Sequence, residues 1–270
     1  VTVAARALAD LALAAAREAA ALIRGYAEQG VAVAATKTSD VDVVTLADRA
    51  SEELIRARLL AARPDDSILG EEGDDVVGTS GVRWIVDPID GTVNFLYGLQ
   101  EFSVSIAAEV DGEVVAGVVL DAANDRAYVG FVDADLPGGG SATRDGRLLQ
   151  VRGPAPVAQR LIATGFSYSA EKRAVQAAAT ARLLPLVRDI RRHGSCALEL
   201  CHLAEGSLDG YVEEGVMLWD HAAGGLIARL AGARLEVLPG AGGTDLVVCG
   251  PHHGFTELLE LIRSVGFTRE

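Results

Sequence analysis

From residue 3 to residue 29, Ala and Leu recur at spacings of three and four and the run ends near Gly30, which predicts an amphipathic helix. Arg6, Asp10, Arg17 and Glu18 interrupt the apolar positions at helical intervals, unlike the continuous apolar stretch of a secretory leader. The polar stretch Lys37-Thr38-Ser39-Asp40-Val41-Asp42 predicts a loop or hairpin. A second helix is expected from near Thr45 through Asp48, Glu52 and Leu54 to Leu60, stopping before Pro64. Asp65-Asp66 then turns the chain into a short strand, Ser67-Ile68-Leu69, followed by the acidic loop Gly70-Glu71-Glu72-Gly73-Asp74-Asp75.

Trp84-Ile85-Val86 reads as a buried strand that ends at Asp87-Pro88. The stretches Phe102 to Ala108 and Val114 to Leu120 read as paired strands with Asp111-Gly112 as the hairpin turn, and Tyr128 to Val132 as another strand. Leu136 to Ser141 is rich in Pro and Gly and reads as a surface loop. Gly153-Pro154-Ala155-Pro156 is the best candidate for a boundary between an N-terminal lobe, 1–152, and a C-terminal lobe, 153–270, within one compact unit. Beyond it the pattern predicts a strand at Leu161-Ile162-Ala163 and a helix over most of Ala174 to Val187. A helix from Ser195 to Ala204, stopped by Gly206, a strand at Asp209 to Val212, and a helix from Trp219-Asp220 through Leu230 come next. Helices and strands mixed without regular βα alternation or internal repeat indicate an α+β fold of layered sheets rather than a barrel.

The length of 270 residues suffices for one large domain or two packed lobes with a real core. No window of about 18 uncharged apolar residues is present, which argues against a membrane span. The formal charge of −14, from 24 basic and 38 acidic residues, disfavours nucleic acid as a partner. It would also repel a phosphorylated metabolite unless cations stood between, although excess acid is most often solvated surface. Cys196, Cys201 and Cys249 form no metal-binding pattern, and their odd number suits buried thiols in a reducing, cytoplasmic setting.

The informative segment is Trp84-Ile85-Val86-Asp87-Pro88-Ile89-Asp90-Gly91-Thr92-Val93-Asn94-Phe95. Two carboxylates three residues apart on a tight turn can flank hard cations, which prefer oxygen ligands, and would repel each other if left unpaired in a cleft. Gly91 and Thr92 can offer backbone N–H groups to an anion at a helix start. The competing reading is an ordinary turn in which Asp90 caps the next element. Each of the other acids has a bland alternative as well: Glu71 in a solvated loop, Asp220 as a helix N-cap, Asp48 as a polar position on a surface helix.

Three blocks together resemble the inositol monophosphatase family, within the larger group of Mg²⁺-dependent, lithium-sensitive phosphatases. They are Ile68-Leu69-Gly70-Glu71-Glu72, the Trp84 to Phe95 segment matching W-I-x-D-P-I-D-G-T-x-N-F, and Trp219-Asp220-His221-Ala222-Ala223-Gly224 matching W-D-x-A-A-G with Ala231-Gly232 downstream. Lys37 to Asp48 looks like the family's mobile loop and the acid after it; Gly194-Ser195-Cys196-Ala197 and Asp209-Gly210-Tyr211 also fall in family-like places. The likeness spans nearly the whole chain.

The resemblance implies an α-β-α-β-α sugar-phosphatase sandwich, a homodimer, and a small phosphorylated polyol as substrate. It implies that Glu71, Asp87 and the Ile89 carbonyl hold one Mg²⁺, that Asp87, Asp90 and Asp220 hold a second, and that Glu71 helps with a weaker third. Thr92, paired with Asp48, would orient and activate the attacking water with Glu71 as a further catalytic residue, the Gly91 and Thr92 amides would bind phosphate, and Asp90 and Asp220 would also belong to the substrate-binding set. Glu213 would contact polyol hydroxyls in a pocket lined by Gly194, Ser195 and Cys196. The implied reaction is hydrolysis of myo-inositol monophosphate; related families accept fructose bisphosphate, histidinol phosphate or phosphoadenosine phosphate, and a regulatory binding protein that keeps the fold is the reading of another class. Asp40 replaces a frequent Pro, Phe166 stands where some relatives place a pocket Ser, and Leu230 replaces a frequent acid, changes that bear on substrate preference rather than on the metal positions. His193 and His221 flank the pocket in sequence, where tuning competes with ordinary packing; His202, His252 and His253 carry no assigned role.

Overall fold

A computed structural model describes residues 4–29, 33–36 and 43–269. The loop expected at Lys37 to Asp42 lies outside the described residues. Helix α1 (Ala5–Gln29) precedes a two-stranded antiparallel ribbon, β1 (Val33–Thr36) and β2 (Val43–Thr45), and α2 (Leu46–Ala62). Then come β3 (Ser67–Gly70), β4 (Val82–Asp90), the short α3 (Thr92–Leu96), β5 (Ser103–Val110), β6 (Glu113–Asp121), β7 (Arg126–Val132), β8 (Gly140–Arg144) and β9 (Arg147–Leu148). The remaining chain forms β10 (Leu161–Thr164), α4 (Ala170–Leu183), β11 (Asp189–Arg191), α5 (Cys196–Ala204), β12 (Gly210–Glu214), α6 (Leu218–Leu230), β13 (Ala233–Pro239), β14 (Asp245–Pro251) and α7 (Phe255–Ser264).

Strands β3 to β9 make one sheet of seven in sequence order, parallel between β3 and β4 and antiparallel elsewhere. The second sheet has the order β11-β10-β12-β14-β13. Strict alternation of side chains makes each sheet a partition between two cores. In the first sheet Trp84, Val86, Val104, Ile106, Val118 and Leu120 face α1 and α2, while Ile85, Ala107 and Val119 face α5 and α6. In the second, Tyr211, Val247 and Cys249 turn toward α5 and α6, and Ile162, Val212, Leu246 and Val248 turn toward α4 and α7. The result is five layers, α-β-α-β-α, as the α+β reading expects.

The Ala-rich stripe of α1 (Ala9, Ala12, Ala16, Ala19 and Ala20, all buried) lets this helix lie close on the sheet. An equally tight approach occurs on the other face, where a Cβ added to Gly117 would lie 2.9 Å from the Ala223 Cα and carbonyl oxygen. Backbone cannot yield as a flexible side chain does. Gly117→Ala is therefore expected to cost about 1–3 kcal/mol by pushing α6 off β6, read as a lowered midpoint in urea; an unchanged midpoint would show that the two layers are not wedged together there.

The turn expected at Asp111-Gly112 is formed, both residues having positive φ as a two-residue hairpin of this twist requires. Two expectations need correction. The strand through Trp84 does not end at Pro88 but runs to Asp90, and the segment after Leu136 is only partly loop, because Gly140 to Arg144 pairs with β7.

Candidate active site

The continuation of β4 past Pro88 creates the site. Asp87 pairs with Ser105 and Asp90 with Ser103, so three steps on β4 match two on β5. One extra residue makes a bulge, which tolerates the missing Pro N–H in an interior strand. Without it, Asp90 would point to the face opposite Asp87. With it, both carboxylates lie on the face that meets α5 and α6, while Ile89 is buried in the core under α1 and α2. Ser51 on α2 steadies the bulge by donating to the Pro88 carbonyl at 3.2 Å.

The third and fourth acids arrive from other layers. Asp220 is the third residue of α6, where its Oδ2 accepts the Met217 N–H at 2.5 Å; it is not the N-cap. One oxygen from each of Asp87, Asp90 and Asp220 lies within 4.8 Å of the others. Glu71 follows β3, its N–H donating to the Val86 carbonyl at 3.2 Å, and its carboxyl meets that of Asp87. Glu52 shapes this loop: its carboxylate accepts the N–H groups of Glu72 and Gly73, each at 2.8 Å.

The electrostatics of this corner are unfavourable to the bare protein. Burial, and then the charges of Glu71, Asp90 and Asp220, push the Asp87 carboxyl well above the usual range. Burial, and then Asp90 and Glu71, do the same to Asp220. Burial pushes Asp90 up to about 7, even though the Ser195 hydroxyl and the Ala197 amide pull it down. Carboxylates gathered against mutual repulsion in a poorly solvated corner are the pattern of a cation site. The donors are all oxygens, which fits a hard divalent cation such as Mg²⁺.

Beside the cluster, Thr92 Oγ1 lies 3.0 Å from Asp48 Oδ1 and 3.0 Å from the Ile89 carbonyl, so its one proton can go to either. Asp48 is no surface position. It is fully buried in the first turn of α2, and its Oδ2 accepts the Thr45 N–H at 2.8 Å and the Thr45 hydroxyl at 2.5 Å. Burial raises its pKa against those hydrogen bonds. Gly91, at φ 95°, presses its Cα toward the Glu101 carbonyl, where an added Cβ would sit 2.8 Å from that oxygen. Such a position favours glycine.

Across the gap stands the start of α5. Ser195 caps it, accepting the Leu198 N–H at 3.3 Å, and donates its own proton to Asp90 Oδ2 at 2.5 Å; the Ala197 N–H reaches the same oxygen at 2.7 Å. Burial holds the Cys196 thiol well above its ordinary pKa, so this residue contributes backbone rather than a nucleophile. Gly194 adjoins Gly91, and Asn94 ties the two turns by donating to the Glu101 carbonyl at 2.7 Å and the His193 carbonyl at 2.6 Å. Glu213, on β12, accepts the Tyr211 hydroxyl at 2.8 Å; burial pushes it up to about 7 against that bond and the Arg192 charge. A Cβ on Gly165 would fall 2.0 Å from the Glu213 carboxylate, so a bare glycine gives that side chain its room.

Sequence reasoning assigned no role to Ser51, Asn94, Ser103, Ser105 or Arg192. Ser103 and Ser105 were detectable: two serines at alternate positions in an otherwise apolar strand mark a face that turns polar. Ser105 donates to the Trp219 carbonyl at 3.1 Å, and the Ser103 and Ser195 hydroxyls lie 3.4 Å apart, so both lash β5 to the helix starts.

Comparison with known proteins converges with this geometry. The model of the Inositol monophosphatase family matches residues 5–263. The chain is 44% identical over 262 residues to the Inositol-1-monophosphatase SuhB of Mycobacterium tuberculosis (strain ATCC 25618 / H37Rv), covering 90% of this chain and 89% of that protein. It is 39% identical over 226 residues to the Nus factor SuhB of Pasteurella multocida (strain Pm70), covering 83% of this chain and 82% of that one. Among solved structures, Mycobacterium tuberculosis SuhB superposes with a TM-score of 0.82 at 38% identity, covering 98% of this chain and 99% of the other. The chain belongs to the inositol monophosphatase family of metal-dependent phosphatases.

Proposed function

We propose that this phosphatase hydrolyses myo-inositol monophosphate to inositol and phosphate, using two or three Mg²⁺ held by Glu71, Asp87, the Ile89 carbonyl, Asp90 and Asp220. The observation that carries this reading is the meeting of Asp87, Asp90 and Asp220 within 4.8 Å, next to the Thr92–Asp48 hydrogen bond. When bound, the cations stabilise charge on the phosphoryl and leaving oxygens and make the attacking water more acidic.

The chain's own groups supply the rest. Thr92 Oγ1, with its proton donated to Asp48, presents lone pairs that accept a proton of the incoming water and so aim its oxygen at phosphorus. Asp48, buried and held on its other oxygen by Thr45, is the acceptor toward which that proton moves. A water–phosphorus bond forms, the phosphorus–polyol bond breaks, and the departing alcohol oxygen takes its proton from a solvent water. The Gly91 and Thr92 N–H groups are suited to phosphoryl oxygens. Glu213, facing Arg192 and the Asp90 side of the cleft, is suited to polyol hydroxyls.

Thr92→Val keeps the shape and removes the hydroxyl. We expect kcat to fall by about a hundredfold or more, as for loss of a positioned proton-transfer group, with KM little changed. Steady-state kinetics in saturating Mg²⁺ check this, and a normal kcat would remove Thr92 from the mechanism. A panel with myo-inositol 1-phosphate, fructose 1,6-bisphosphate and histidinol phosphate tests the substrate. Far higher kcat/KM on either of the last two would overturn the inositol assignment, whereas turnover of none would favour a regulatory binding role.

A further inference from the structure

A second set of ligating side chains meets on α5 and the turn before it. Glu199 and His202 are three residues apart on one helix and therefore share a face. His193 reaches the same carboxylate from the preceding turn. Ligand atoms of His193, Glu199 and His202 all lie within 4.8 Å of one another. The Glu199 side chain is 1% exposed, and its two oxygens are used unequally. Oε1 accepts the His193 N–H at 3.0 Å and lies 2.9 Å from His193 Nδ1. Oε2 is buried and has no hydrogen-bond partner among the described residues; the His202 Nδ1 stands 4.0 Å away, too far for a hydrogen bond. The imidazoles meet edge to face with centroids 5.7 Å apart, so both present their Nδ1 atoms to one carboxylate.

An orphaned, buried carboxylate oxygen costs about 1–3 kcal/mol or more, and native proteins rarely leave one without a reason. Two bonds of about 2.0–2.2 Å, the lengths for an imidazole nitrogen and a carboxylate oxygen on Zn²⁺, bridge a gap of this size with small ring rotations. The partial exposure of His193 (32%) and His202 (18%) leaves a route from solvent.

We propose that His193, Glu199 and His202 bind a divalent transition-metal ion of the Zn²⁺ class. Two imidazoles and one carboxylate select borderline metals, whereas the all-oxygen corner at Asp87, Asp90 and Asp220 selects hard ones. The two sites therefore sort different cations. The ion would fix the His193–Gly194–Ser195 turn, whose His193 carbonyl accepts from Asn94 and whose Ser195 donates to Asp90. The site stands independently of the phosphatase reading.

The test uses metal-stripped full-length protein in excess Mg²⁺, which keeps the acid cluster engaged, titrated with Co²⁺ as a paramagnetic probe. Ring-proton resonances of His193 and His202 are expected to broaden at one equivalent, while those of His221, His252 and His253 stay sharp. Calorimetric titration with Zn²⁺ should show affinity at least about tenfold weaker in His202→Gln and in His193→Gln, and unchanged in Asp90→Asn. Broadening spread over all five histidines, or none, would overturn the proposal, and the wild-type spectrum decides this even if a variant fails to fold. Loss of Zn²⁺ affinity in Asp90→Asn but not in His202→Gln would also overturn it, by placing the ion in the acid cluster.

Discussion

Asp90→Asn is expected to lower Mg²⁺-supported kcat/KM by about a thousandfold or more while stabilising the metal-free protein. The loss comes from removing one anionic oxygen from a cluster built to hold cations, whose transition-state stabilisation is worth several kcal/mol at about 1.4 kcal/mol per factor of ten. The gain comes from the environment of the same carboxyl. Burial pushes its pKa from 3.8 up to about 7, so near neutrality the bare site either binds a proton or carries an unwelcome charge. Asparagine is neutral and of the same shape, and its Oδ1 can still accept from the Ser195 hydroxyl and the Ala197 N–H. The linked stabilisation approaches about 4 kcal/mol above pH 7 as an upper bound. Steady-state kinetics and urea unfolding in a chelator measure the two effects on one preparation. Activity within tenfold of wild type would show that Asp90 does not hold the cations; reduced stability in chelator would show that its carboxylate is structural.

How much of this was legible in sequence depends on whether the signal was local. Trp84-Ile85-Val86 was readable as a strand because both sheet faces are buried there and the run is apolar throughout. Pro88 then misled, because a proline in an interior strand normally ends it. Only the pairing of Asp87 with Ser105 and Asp90 with Ser103 reveals the bulge, and register is a property of two strands rather than one. Strand β11 has no local signature for a related reason: Asp189-Ile190-Arg191 has no alternation and owes its strand state to pairing with Leu161 to Ala163. The hairpin of β13 and β14 around Gly240 to Gly243, and α7 after it, do carry a local signal in Gly-punctuated apolar runs.

The acids illustrate the same limit from the chemical side. Spacing alone could pair Asp87 with Asp90, yet nothing local distinguishes Glu71 from Glu72 or Asp220 from an N-cap. The family resemblance supplied the grouping that periodicity could not. Folding brings these groups together at a cost that local sequence does not display: the packing of α5 and α6 between two sheets forces like charges into one dry corner. The features that make the bare site unstable are the ones that make it hold cations, so stability and metal affinity should move in opposite directions when an acid is neutralised.

That opposition fixes the pH dependence of the metal-free protein, the second large effect. A carboxyl whose folded pKa lies above its unfolded value keeps its proton in the native state after the unfolded chain has lost it. Its contribution is therefore complete below the unfolded value of 3.8 and is lost as pH rises to about 7 for Asp90, and Asp87 and Asp220, also raised by burial and by neighbouring carboxylates, act in the same direction. In chelator, unfolding free energy should fall from about pH 4 to about pH 7, at about 1.4 kcal/mol per pH unit for each group still protonated only in the native state. Saturating Mg²⁺ competes with those protons, so its stabilising increment should grow by about 1.4 kcal/mol between pH 6 and pH 8 from Asp90 alone. Urea titrations across this range, with chelator or with Mg²⁺, measure both curves, and the Asp90→Asn variant should show the shallower slope. A metal-free curve that rises with pH more steeply in wild type than in Asp90→Asn would mean that the carboxylate at position 90 is already neutralised by the fold, and the acid corner would then need no cation at all.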